Sequence, residues 1–343
     1  MSDIAIQSNP QSFSFELIRE SSIKQKEYCS AVAIDKNNQL VLATADKAIK
    51  VFSFKMERLK QIQQLNMNKM DVTTLNWFLN KSQFINGSID STIRISSTNV
   101  ISSAKYFQQL KGHQSWITNI IIHPKNQDVI ISSSNDSSIR VWQNIENWQC
   151  CQIIQDYQKD IKGLSINQEG DQLCSCSGDQ QILILKPINN KNYFKWQVNQ
   201  IIMVDQSGYR ICSINDKVFT FQQDSNNYLH IYTKDQNGLF SKTGQIKVAG
   251  GEQSCDYLFP SVYHSSKQLL INKNGYTINL IRIFNKNDSN DQINIDFILE
   301  QIIDFGDQSY GHIWGTLSQD QKYLITWDCD SSEIQIRKYT EKL

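Results

Sequence analysis

One pattern, Asp-x-x-Ile-Arg-Val-Trp at Asp136 to Trp142, returns along the chain at near-regular intervals and constrains the fold more than any other feature. It recurs as Asp46-x-x-Ile49-Lys50-Val51-Phe52, as Asp90-x-x-Ile93-Arg94-Ile95-Ser96 and as Asp179-x-x-Ile182-Leu183-Ile184-Leu185. Three weaker copies follow: Asn226-x-x-Leu229-His230-Ile231-Tyr232, then Ile281-Arg282-Ile283-Phe284 without its Asp, then Ile334-Gln335-Ile336-Arg337 after Asp330. Counted from the Ile or Leu of each copy, the steps are 44, 46, 43, 47, 52 and 53 residues, which makes seven units. A repeat of this size is one supersecondary block that cannot bury its faces alone and packs on its neighbours.

The best-preserved unit runs from Gly112 to Trp142. Within it Ile117 to Ile122, Val129 to Ser134 and Ser138 to Trp142 are short β-branched runs, separated by the turn clusters His123-Pro124-Lys125-Asn126 and Asn135-Asp136. The unit therefore reads as an antiparallel meander with no place for a helix. First strands are predicted before each copy at Cys29 to Ile34, Val72 to Trp77, Ile117 to Ile122, Ile161 to Ile166, Val198 to Val204, Tyr257 to Tyr263 and Ile313 to Leu317. Outer strands are predicted after it at Leu59 to Leu65, Lys105 to Leu110, Cys150 to Ile154, Tyr193 to Trp196, Leu239 to Ile246 and Phe297 to Ile302. The last unit has no outer strand after it. The alternating Phe13-Ser14-Phe15-Glu16-Leu17-Ile18 is expected to supply one, pairing with Glu333 to Lys338, because closure removes an edge that would template aggregation.

The Gly-His opening, the Asp six residues before a terminal Trp and the period in the forties resemble the WD-repeat β-propeller family. The resemblance implies an all-β fold, a seven-bladed β-propeller of four-stranded antiparallel blades closed by the N-terminal strand. Residues 1–10 are expected to be a flexible N-terminus and 11–343 a single propeller, with 11–20 forming the outer strand of the last blade. The Trp-Asp dipeptide that names the family occurs at Trp327-Asp328, at the end of a second strand instead of a third, so it carries no family meaning here. At the family's place stands Trp142-Gln143.

Composition is compatible with this and narrows the function classes. The 343 residues carry 34 basic and 34 acidic side chains with no basic run, so no phosphate-tracking stripe for nucleic acid is visible. No apolar stretch reaches the roughly 18 residues of a membrane span, and the opening MSDIAIQSNPQSF lacks the order of a signal peptide. A soluble intracellular protein is expected, cytoplasmic or in another intracellular compartment. The eight Cys include no Cys-x-x-Cys; Cys150 and Cys151 are adjacent, Cys174 and Cys176 two apart, and reduced thiols are the expectation. Sequons at Asn86, Asn135 and Asn287 read as chance without a signal peptide. The abundance of Asn and Gln reads as a proteome bias such as that of ciliates, not a prion-like tract.

One cluster has the ingredients of chemistry. Ser132, His113 and Asp136 could form a nucleophilic triad, in which a base takes the Ser proton and a carboxylate orients the base. No Gly-x-Ser-x-Gly turn accompanies it, and no phosphate loop, dinucleotide fingerprint or His-Glu-x-x-His is present. The family resemblance implies a different role: His113, Ser132, Asp136 and Trp142 match positions that form a buried hydrogen-bonded network tying strands of a blade together. Blade four keeps Asp179 and Ser175 but has Leu185 for the Trp, so it is expected to rely more on apolar packing. His113, His123, His230, His264 and His312 fall at unmatched positions, so no metal site is expected; nor is a cofactor, a catalytic residue or an enzymatic activity.

What remains is surface. The resemblance implies a partner-binding rim around the central channel, carrying Trp116, Thr118 and Asn135, Asp160, Lys162 and Gly178, Asp71, Thr73 and Ile89, Tyr28, Ser30 and Ala45, and Asn199. Trp116 can be half-buried packing or an interface anchor, since exposed Trp is enriched at hot spots. The expected function is a non-catalytic scaffold, monomeric on its own, that docks protein or peptide partners within a multi-subunit complex. The alternative is a substrate receptor of a ubiquitin ligase, or a reader of a modified peptide. Cullin-type receptors often carry Trp-Asp-x-Arg after the third strand, where this chain has Trp142-Gln143-Asn144-Ile145.

Overall fold

The computed structural model describes residues 12–97, 108–188, 194–252, 255, 258–286 and 294–341. The expected flexible N-terminus and the sequon at Asn287 lie outside them. Short alternating β-branched runs broken by turns produce strands and almost nothing else; two 3-10 turns are the helical elements among the described residues. The strands form seven antiparallel sheets in chain order. Blade three is typical, with Ile117–Ile122, Val129–Ser134, Ile139–Asn144 and an outer strand Trp148–Ile154. First strands of successive blades pack on one another from blade one to blade six, that of blade seven packs on that of blade one, and the apolar clusters lie between blades. This is a seven-bladed β-propeller.

The ring closes through Phe13–Leu17, which pairs antiparallel with the third strand of blade seven, Glu333–Glu341. The register runs from Phe13 opposite Glu341 to Leu17 opposite Arg337, further along the partner strand than Glu333 to Lys338. The near end is covered separately: after a 3-10 turn at Arg19–Ser21, Ile23 and Lys24 pair with Ile334 and Glu333. Phe13 and Phe15 are buried, and Phe13 stacks on Tyr339 with ring centroids 5.3 Å apart.

Blade five differs from expectation. Val198 to Val204 is not its first strand but the upper half of the outer strand of blade four, Lys195–Met203, which also replaces the predicted Tyr193 to Trp196. The true first strand is Gly208–Ser213. It carries Arg210, 1% exposed, whose Nε donates to Phe259 O at 2.7 Å, and a buried Arg hides a first strand from any reading based on apolar runs. Blade six opens on only Val262–His264.

The outer strands share a device. In blades one, three, four, five and six the register slips by one residue at the same place, leaving Ile62, Cys151, Asn199, Thr243 and Glu300 as the extra residue of a β-bulge. The next residue is Gln in four of these blades, and three of these Gln side chains reach the backbone of the following blade. Gln152 accepts from Trp196 N at 2.7 Å and donates to Trp196 O at 2.6 Å. Gln200 makes the same two bonds with Phe240, both 2.8 Å, and Gln301 makes them with Phe15 at 2.7 and 3.2 Å. A carboxamide has the donor and acceptor of a peptide group, so each Gln acts as one rung of a ladder between blades. These glutamines have a structural task that a compositional bias does not supply.

Candidate partner-binding rim

His113, Ser132, Asp136 and Trp142 come together in blade three. His113 Nδ1 lies 2.8 Å from Asp136 Oδ2, its Nε2 lies 2.8 Å from Ser132 Oγ, and Trp142 Nε1 donates to Ser132 Oγ at 2.9 Å. An indole N–H can only donate and a carboxylate can only accept, so the protons are ordered: Trp142 to Ser132, Ser132 to His113 Nε2, His113 Nδ1 to Asp136. Burial holds the His113 pKa below its ordinary value, against the pull of Asp136. Burial alone would raise Asp136, but hydrogen bonds from His113, Ser138 and the Gln114 N–H outweigh it and keep the carboxyl well below the usual range. Ser132 is fully buried and its hydroxyl is committed at both ends, so a substrate carbonyl has no approach to it.

Equivalent networks exist where the sequence did not show them. In blade two Asn68, Asn86, Asp90 and Arg94 replace the quartet: Asn86 Nδ2 donates to Asn68 Oδ1 at 2.9 Å and Arg94 pairs with Asp90 at 2.8 Å, both side chains buried. In blade four Tyr157 takes the place of the His, its hydroxyl 2.7 Å from Ser175 Oγ, while Gln158 N–H donates to Asp179 as Gln114 does to Asp136. Blade four is therefore tied by a polar contact as well as by apolar packing.

The first strands enclose a central cavity of about 270 Å³ whose lining carries no charged side chain. Its amides serve the ring: Asn76 Nδ2 donates to Ile120 O at 2.9 Å and Asn119 Nδ2 to Lys162 O at 3.0 Å. Among the described residues no three His, Cys, Asp or Glu come together as a metal site. All eight cysteines are unbonded; burial pushes Cys29, Cys174, Cys176 and Cys212 up to about 12, which leaves them as thiols. No described helix is long and apolar enough to cross a membrane.

At the mouth of this cavity one backbone bond marks equivalent positions. The carbonyls of Tyr28, Asp71, Trp116, Asp160, Ser207 and His312 accept the N–H of Asp46, Ile89, Asn135, Gly178, Asp224 and Cys329. The side chains there differ sharply in accessibility. Trp116 is 45% exposed, Asp71 is exposed without a hydrogen-bond partner for its carboxylate among the described residues, and the adjoining Met70 is 50% exposed. Thr73 Oγ1 donates to Ile117 O at 2.5 Å, which lays the Asp71 segment of blade two against the Trp116 segment of blade three. Asp160 and Lys162 are half-buried and pair at 2.5 Å, with Lys162 over the Tyr209 ring; Asn135 is also half-buried.

Other expected rim members belong elsewhere. Thr73, Thr118 and Ser30 are buried, their hydroxyls held by Ile117 O, Ser133 and Val72 O, so they offer no surface to a partner. Ala45 is buried within the second strand of blade one, and Asp46 occupies the turn position in its stead. Tyr28 packs edge-on against Trp314 at 4.6 Å and His312 at 5.6 Å, filling the seam between blades one and seven. Asn199 is the bulge residue of an outer strand, away from the mouth, because the strand that carries it belongs to blade four. The accessible remainder is a patch of Met70, Asp71 and Trp116 beside Asn135, Asp160 and Lys162.

Comparison with known proteins agrees with this architecture. The family model described as "WD domain, G-beta repeat" matches residues 104–143. Pre-mRNA-processing factor 19 of Bos taurus is 37% identical over 79 residues, 23% of this chain and 15% of that protein. THO complex subunit 3 of Arabidopsis thaliana is 27% identical over 144 residues, covering 39% of this chain and 44% of that one. The matches thus span less than half the length of these relatives. A chain in the solved structure titled "Crystal Structure of Mitotic Checkpoint Complex" superposes with a TM-score of 0.69 over 98% of this chain and 96% of its own, at 13% identity, a likeness of fold. With the blade-three network, the seven antiparallel sheets and the strand that closes the ring, the chain is a seven-bladed β-propeller that carries a WD repeat at residues 104–143 and is similar to WD-repeat proteins.

Proposed function

We infer that the protein is a non-catalytic scaffold that docks a protein or peptide partner on the patch around Trp116, within a larger intracellular complex. The observation that carries this reading is an exposed indole and thioether, Trp116 and Met70, beside the free carboxylate of Asp71 and the Asp160–Lys162 pair. An aromatic anchor among charges of both signs is the usual composition of a hot spot with a polar rim. The buried, committed state of Ser132 supports a structural and not a catalytic quartet. The names of THO complex subunit 3 and of the mitotic checkpoint complex refer to multi-subunit assemblies, which supports the scaffold class.

Affinity purification from the source cell supplies the partner, and calorimetry tests the site. Trp116→Ala combined with Lys162→Glu is expected to weaken binding by about 2 kcal/mol or more, roughly 30-fold, with the melting temperature preserved. Unchanged affinity for this variant, with binding lost on altering Asn285 to Gln292, would move the docking surface off the rim.

A further inference from the structure

Among the described residues, the glutamine rungs between outer strands leave the outer strand of blade six without one. Phe297 stands three residues before the bulge residue Glu300, as Trp196 stands before Asn199 and Phe240 before Thr243. Phe297 pairs with Ile283, whose own N–H is donated back to Gln268 O in the second strand. In an antiparallel ladder the backbone groups of such a pair point away from each other, so the Phe297 N–H and C=O face the outer edge of the sheet. Phe240 and Phe15 are placed alike, opposite Lys234 and Tyr339, whose N–H groups go to Lys217 O and Lys322 O. There the preceding blade covers the edge with Gln200 or Gln301. In blade five the matching residue is Gly244, which has no side chain to offer.

The strand left open is also the longest of the described outer strands. Asn294–Asp304 spans 11 residues, with Ile298 and Ile302 48% and 47% exposed and Phe297 and Leu299 half-buried. By contrast the outer strand of blade one presents Arg58 and Lys60, charges that blunt an edge. We propose that the open edge at Phe297, flanked by Ile295 and Leu299, is a second docking surface, distinct from the rim, which takes an extended polypeptide segment of a partner as a fifth strand of blade six. The molecule itself shows the chemistry required: a peptide-like donor and acceptor fill the same backbone groups in three other blades. Main-chain pairing supplies affinity in such strand addition, and alternate side chains set selectivity, here apolar ones against Ile298 and Ile302.

Residue-resolved hydrogen exchange on the full chain tests this. In the free protein the Phe297 amide should exchange at least tenfold faster than those of Trp196 and Phe240. Adding the probe peptide acetyl-Lys-Thr-Val-Thr-Val-Thr-Lys-amide at millimolar concentration should slow it, whereas the same peptide N-methylated at alternate residues should act at least tenfold more weakly. Gly244→Gln should protect the Phe297 amide without peptide and remove the peptide effect. Equal protection of all three amides in the free protein, no effect of the peptide, or equal action by the N-methylated peptide would each overturn the proposal. None of these outcomes depends on the rim, since Trp116→Ala should leave them unchanged.

Discussion

Replacing His113 by Ala removes the centre of the blade-three network, and the structure allows its cost to be worked out. Ser132, fully buried, loses its acceptor; Asp136, whose side chain is 10% exposed, loses one donor but keeps Gln114 N–H and Ser138. A buried polar group left unsatisfied costs roughly 1–3 kcal/mol, and the space vacated beside Trp142, whose ring centroid is 6.3 Å from that of His113, adds a cavity, for about 2–4 kcal/mol together. Unfolding entropy of roughly 2.1 cal/mol/K per residue gives about 0.7 kcal/mol/K for the whole chain, so the melting temperature should fall by about 3–6 °C. Differential scanning calorimetry of His113→Ala, Ser132→Ala and the double variant measures this. The double variant should cost less than the sum, because the two share one bond. An unchanged melting temperature for His113→Ala would refute the structural role, and loss of an activity in that still-folded variant would revive a chemical one.

Two further outcomes follow from the interior. Gln200→Ala removes both bonds to Phe240 at a half-buried site and should cost about 1–2 kcal/mol by denaturant titration, whereas the exposed neighbour Gln197→Ala should cost within about 0.5 kcal/mol. Burial lowers the pKa of His113, His123, His230 and His264, that of His230 to about 4, so these residues are neutral in the folded ring and must charge on unfolding in acid. The unfolded chain then binds more protons, so stability should be complete above the ordinary His value near 6.5 and fall as the pH drops from there towards about 4. Melting curves between pH 7.5 and 4.5 check this, and His230→Gln should flatten the lower part of the profile.

The blades were legible where a short polar turn fixes the spacing of the third strand, as at Asp46, Asp90, Asp136 and Asp179. They blurred where a first strand carries a buried ion, as with Arg210 in blade five. Tyr157 escaped notice because it stands 22 residues before Asp179, whereas His113 stands 23 before Asp136. Thr73, Thr118 and Ser30 looked like surface since a hydroxyl beside a turn usually is; the carbonyls and hydroxyl that bury them come from other strands and leave no local trace. The glutamine rungs did leave one: an aromatic residue four before a Gln, at Trp148 and Gln152, Trp196 and Gln200, and Phe297 and Gln301, with Leu59 and Gln63 as a variant. Read as composition, those residues said nothing; read at a spacing of four within outer strands, they mark where each blade grips the next. The rim itself was legible as positions but not as surface, because exposure is decided by the neighbouring blade.

The central claim is that partners meet this propeller at the patch around Trp116. Hydrogen exchange of the protein alone and bound to its first purified partner tests it directly. Lys69 to Thr73 and Gln114 to Thr118 should become protected on binding. Unchanged exchange in both segments, with protection confined to other faces of the ring, would contradict the account.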